Sequence, residues 1–98
     1  MDENIPKNAG DRGFGHGNTI TLTLDGGSVA GGEWVTLNGD GTVSPGGEDG
    51  VAKHSREDGE ELAVHLAGVV RAVEDNAEAD TTLVYDGYDN GDVLVRLR

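Results

Sequence analysis

Cysteine is absent from this 98-residue chain, which excludes disulfide staples, thiolate catalysis and zinc ribbons. Aromatic residues are scarce as well, one Trp, two Tyr and one Phe, so the large buried areas that aromatics normally supply are mostly missing. Basic residues number 7 against 19 acidic ones, a formal charge of −12. No basic stripe exists to neutralise phosphates, which argues against nucleic acid and against anionic membranes as partners. No window approaches 18 apolar residues, and Met1-Asp2-Glu3-Asn4-Ile5-Pro6-Lys7 has no apolar core, so neither a membrane span nor a signal peptide is expected.

What is present is a chain just able to fold. Leu, Ile, Val and Phe make up 22 of the 98 residues, slightly above the fraction below which a highly charged chain stays disordered. The area scaling laws predict a folded surface of roughly 5,300 Å² and a modest core. The 17 glycines add to the entropy lost on folding, so support from partner surfaces is expected. Asp exceeds Glu, Arg exceeds Lys, and the charges are scattered, the pattern of a salt-adapted surface. At molar salt the screening length falls to about 3 Å and such a surface stops repelling itself, which predicts a halophilic source.

Along the chain, residues 1–18 hold Met1, Ile5 and Phe14 as their large apolar groups among Gly and Asn. They read as a flexible N-terminal arm, with residues 19–98 as the β-rich folded domain. Thr19, Thr21 and Thr23 alternate with Ile20, Leu22 and Leu24, a half-buried strand. Asn38-Gly39-Asp40-Gly41 between residues 33–37 and Thr42-Val43 signals a hairpin, and Pro45 to Gly50 reads as a loop. Thr81–Tyr85 and residues 92–98, joined by a turn through residues 86–91, are expected to form a second hairpin, with Val93, Val95 and Leu97 directed inward and Leu94, Arg96 and Arg98 outward. Residues 57–76 are ambiguous. Leu62, Leu66, Val69, Val70 and Val73 follow a helical stripe, with Asp58 and Glu61 as a capping box. The same stretch alternates as a strand broken at Gly68. Periodicity alone favours helix. Short strands between Gly-rich turns indicate a small barrel or sandwich.

No catalytic constellation emerges. His16, His54 and His65 lack metal-ligand spacing; Ser28, Ser44 and Ser55 lack a nucleophile-elbow frame; Gly13-Phe14-Gly15-His16-Gly17 lacks the Lys-Ser/Thr ending of a phosphate loop. Asn38, Asp40 and Thr42 have the first three spacings of a calcium loop. Val43 then stands where the turn glycine belongs and Asp49 where the glutamate belongs, and Asp86, Asp89, Asn90 and Asp92 fail the same register. Hairpin turn chemistry accounts for these residues. No cofactor or metal is expected. Trp34, the sole tryptophan, reads either as core packing or as a contact between subunits.

The stretch Gly32-Glu33-Trp34-Val35-Thr36-Leu37-Asn38-Gly39-Asp40-Gly41-Thr42-Val43-Ser44-Pro45, then Gly50-Val51-Ala52, then Gly59-Glu60-Glu61-Leu62-Ala63-Val64-His65-Leu66-Ala67-Gly68-Val69-Val70, resembles in order and spacing the head-decoration, or capsid-cement, proteins of tailed viruses. The likeness covers roughly residues 19–75. It departs in a short C-terminal hairpin and in the acidity, which suggests a virus of a halophilic archaeon. The resemblance implies a mainly β, β-tulip-type domain with an extended N-terminal arm. It turns the ambiguous segment toward strand. It further implies homotrimers that bind the major capsid protein at three-fold positions on the outer surface of the virion. On that reading Ile5, Pro6, Phe14 and His16 contact the capsid and Trp34 serves packing or the trimer. The reading from a different class is a cytoplasmic haloarchaeal β-barrel adaptor that binds another protein or a small ligand; a small hydrolase or metal-dependent enzyme finds no residues to carry it.

Overall fold

A computed structural model describes residues 8–13 and 17–97. Among these, 49% are in strands and none in helices, and five of the strands close into a barrel. The strands are β1 (Asn18–Leu24), β2 (Trp34–Leu37), β3 (Thr42–Pro45), β4 (Gly50–Ala52), β5 (Glu61–Ala72), β6 (Thr81–Tyr85) and β7 (Val93–Leu97). The accessible surface is 5370 Å², as the scaling law requires for this mass.

The barrel runs β1-β3-β2-β4-β5 and returns to β1. Its closing step is the parallel pair Thr23↔Thr42 and Leu24↔Val43; the other pairings are antiparallel. Inside lie Leu24, Val29, Val35, Val43, Ala52, Leu62 and Val64, with Leu22, Leu37 and Leu66 partly buried around them. The alternation of β1 holds as a gradient. Leu24 is fully buried, Leu22 is intermediate and Ile20 is exposed, because the strand runs from the barrel mouth into its interior.

β5 belongs to two sheets. Residues up to Ala67 pair with β1 and β4, and from Gly68 to Ala72 the strand pairs with β7, which pairs with β6. Gly68 sits at φ +100°, a conformation that L side chains rarely adopt, and it marks the change of partner. The second sheet packs Val70, Ala72, Val95 and Leu97 against Trp34 and Val51 on the outer wall of the barrel. A second core results.

The helical preference for residues 57–76 is thereby corrected to a strand over Glu61–Ala72. Asp58 makes no capping box with Glu61; its Oδ1 accepts from the Gly26 N–H at 3.1 Å. Leu94 is corrected as well. Expected outward, it is buried beside Val69, because the chain near Gly13 lies over this face: a Cβ built on Gly13 would stand 3.0 Å from Val69 Cγ1 and 3.6 Å from Leu94 Cδ1.

Candidate interaction surface

Part of the segment read as an arm lies within the fold. Gly10 N–H donates to the Arg71 carbonyl at 2.7 Å, Arg71 N–H to the Asp11 carbonyl at 2.9 Å and Gly13 N–H to the Val69 carbonyl at 2.6 Å. Val70 thus has Arg12 on one edge and Val95 of β7 on the other. The bonds come from the backbone, so the segment joins the sheet without large apolar side chains of its own. Gly10 is required there. Its φ is +92°, and an added Cβ would stand 2.4 Å from the Lys53 carbonyl oxygen. Of the residues expected at the capsid, Ile5, Pro6, Phe14 and His16 lie outside the described residues.

Side chains tie the segment down further. Arg12 Nη2 donates to Thr19 Oγ1 at 2.5 Å, Thr19 Oγ1 lies 3.2 Å from His65 Nδ1, and His65 Nε2 lies 2.7 Å from the Gly10 carbonyl oxygen. His65 is fully buried. Burial lowers its basicity, and the Gly10 carbonyl partly offsets that. His54 is lowered too, by burial and then by Arg56 and Lys53, while its Nε2 accepts from the Ala63 N–H at 3.3 Å.

Trp34 is 5% exposed in the single chain, and its indole N–H donates to the Glu74 carbonyl at 2.9 Å. Two grooves flank it. One of about 310 Å³ is lined by Glu48, Asp49, Glu78, Asp80 and Thr81; the other, about 500 Å³, by Pro45, Gly46, Gly47, Val73 and Glu74. Both rims are acidic.

β6 forms the end of the second sheet. Three consecutive residues there are exposed, Leu83 at 45%, Val84 at 38% and Tyr85 at 39%. A register shift between Leu83 and Tyr85 bulges the strand, a device that hinders edge-to-edge pairing. Tyr85 meets Tyr88 edge to face at 5.2 Å, and the Arg71 guanidinium lies 3.8 Å over the Tyr88 ring. Burial raises the Tyr88 phenol, which Arg71 counteracts. Arg71 Nε donates to Asp92 Oδ2 at 2.8 Å in a buried ion pair. Nothing in the local pattern marks Arg71 as buried, since it interrupts an apolar run; His65 likewise sits among apolar neighbours with no motif around it.

The acidic turns do turn chemistry. Asp40 Oδ1 accepts from the Thr42 N–H and hydroxyl at 3.1 and 2.6 Å, which hold its carboxyl below the usual range. Asp49 Oδ2 accepts from the Leu37 N–H at 2.9 Å. Ser44 and Ser55 hydroxyls accept from Asn38 Nδ2 and from the Gly31 N–H. Among the described residues, no group of three His, Asp or Glu converges as a metal site, and no helix is long and apolar enough to cross a membrane. No protein-family model, curated protein or solved structure matches the chain.

Proposed function

We propose that this chain is a non-enzymatic capsid decoration protein that binds the major capsid protein on the outside of a viral head and stabilises it, as trimers at three-fold positions. The observation that carries the reading is the exposed apolar run Leu83-Val84-Tyr85 on a domain of charge −12. An uncharged strand displayed on so acidic a surface is suited to burial against another protein surface. The order of motifs over residues 32–70 supports the same reading, and the acidity suits a particle in brine.

Quantitative mass spectrometry on density-gradient-purified particles from the producing culture tests it. A copy number near that of the major capsid protein supports decoration. Absence from intact particles held in high salt overturns it and leaves the haloarchaeal adaptor. Because residues 8–13 are part of the fold, the arm is tested by deleting residues 1–7. Loss of shell binding with an unchanged melting temperature is expected, and undiminished binding removes Ile5 and Pro6 as anchors.

A further inference from the structure

Among the described residues His65 is the one fully buried side chain with an ionisable ring, and both of its nitrogens are engaged. The Gly10 carbonyl only accepts, so the proton sits on Nε2 and Nδ1 is left as an acceptor. The Thr19 hydroxyl then donates to Nδ1 while its oxygen accepts from Arg12 Nη2. Donors run in a single direction, from Arg12 through Thr19 and His65 to Gly10. A second proton, on Nδ1, reverses one link of that chain, because Thr19 must then accept from both neighbours and send its own hydrogen elsewhere.

The charges around the ring add to the conflict. The N-terminal segment brings Arg12 and Asp11, the residue after β4 brings Lys53, and β1 brings only the Thr19 hydroxyl. Two cations therefore face a nascent imidazolium, and Asp11 alone opposes them. The ring closes a segment that is otherwise held by three backbone hydrogen bonds to Val69 and Arg71 and by the Arg12 bond to Thr19. The backbone bonds are at a sheet edge, and the segment carries no large apolar side chain of its own to bury.

We propose that His65 is a pH-sensitive latch: its protonation at Nδ1 releases residues 8–13 from the edge of β5 while the barrel stays closed. Release uncovers the N–H of Arg71 and the carbonyls of Val69 and Arg71, and frees the chain before Gly13 to reach a partner. The inference does not rest on the decoration reading. Its sign follows from linkage. The closed form holds His65 below its ordinary value of 6.5, so closure is favoured above that pH. Each unit below it multiplies the open fraction about tenfold, until the closed-state value is reached.

Amide hydrogen exchange on the full chain, followed by NMR from pH 7 to pH 5 in constant salt, reads the latch directly. The protection factors of Gly10, Gly13 and Arg71 are expected to fall, by up to about 25-fold, while those of Ala52 and Lys53 in the barrel wall hold. His65→Gln keeps a donor for the Gly10 carbonyl and does not titrate, so its protection is expected to be flat with pH. Protection of the three amides that stays constant in the wild type overturns the proposal, as does a fall that persists in His65→Gln. Should that variant fail to fold, the imidazole titration in the wild type decides. The midpoint of His65 must coincide with the loss of protection, and a ring that titrates while the three amides stay closed refutes the latch.

Discussion

Removing the Asp92 carboxylate takes a salt-bridge partner from a buried cation, and the cost can be worked from the geometry. Arg71 Nε and Asp92 Oδ2 stand 2.8 Å apart, with side chains only 11% and 7% exposed. Unit charges at that distance attract by about 6 kcal/mol at an effective dielectric of about 20. Most of that offsets the cost of taking both ions out of water, so the pair is worth little against an apolar replacement. Breaking it from one side is another matter and typically costs about 3–5 kcal/mol. Arg71 keeps the Tyr88 face and a long contact to Asn90 Oδ1 at 3.4 Å, which places Asp92→Ala near the lower end, about 3 kcal/mol. For a domain of this size that lowers the melting temperature by about 12–24 °C. Thermal melts followed by circular dichroism are best run in about 2 M KCl, where screening removes the confounding relief of one negative charge. Arg71→Met combined with Asp92→Ala is expected to recover to within about 1 kcal/mol of the wild type. An Asp92→Ala protein within about 1 kcal/mol of wild type, or a double variant no better than the single, refutes the burial argument.

Gly10→Ala meets the Lys53 and Ala52 carbonyl oxygens at a φ of +92°. A loss of about 1–3 kcal/mol in urea unfolding is expected, together with faster exchange at Gly13 and Arg71 at every pH. That pH independence distinguishes it from protonation of His65. Leu24→Ala empties a fully buried position in the barrel and is expected to cost about 2–5 kcal/mol by the same assay. Raising KCl from dilute buffer to about 2 M is expected to raise the melting temperature, since a charge of −12 opposes the compact state when unscreened. A flat salt response removes the halophilic reading. Leu83→Asp, at an exposed position, is expected to leave stability within about 0.5 kcal/mol and, under the proposed decoration function, to abolish assembly onto capsids.

The hairpins were legible because their signals are local. Asn-Gly and Asp-Gly between apolar runs specify a tight turn whatever lies elsewhere, and β2 with β3 and β6 with β7 pair as that chemistry demands. β5 was not legible by periodicity for a physical reason. A strand covered on one face alternates, but the last five residues of β5 are all buried, so both faces are covered and the period of two disappears. Leu94 was misread from the same cause. The second face meets Tyr88 and Asp92 at Arg71 and the chain at Gly13 beside Val69 and Leu94. Asn8 to Gly13 carries no large apolar residue and is held by main-chain bonds, so hydrophobic pattern gives it no signal. Of the candidate surface, the exposed Leu83-Val84-Tyr85 lay in a predicted strand. Its exposure follows from β6 lying at the end of the sheet, a fact of topology rather than of local sequence.

These features converge on β5. Its first half closes the barrel between β1 and β4, and its second half holds β7 on one edge and the N-terminal segment on the other. His65 and Arg71 project from it on either side of Gly68, each carrying a polar network that joins it to another part of the chain. His65 reaches Gly10 and Thr19; Arg71 reaches Asp92 and Tyr88. With so few aromatics, neither the N-terminal segment nor the loop before β7 has enough apolar area to hold itself by burial alone. Both are held instead by hydrogen bonds and charge, interactions that depend on protonation and geometry more than on area. The barrel core should therefore be the last part of the molecule to open, and the parts anchored by β5's polar residues the first to respond to pH or to a partner.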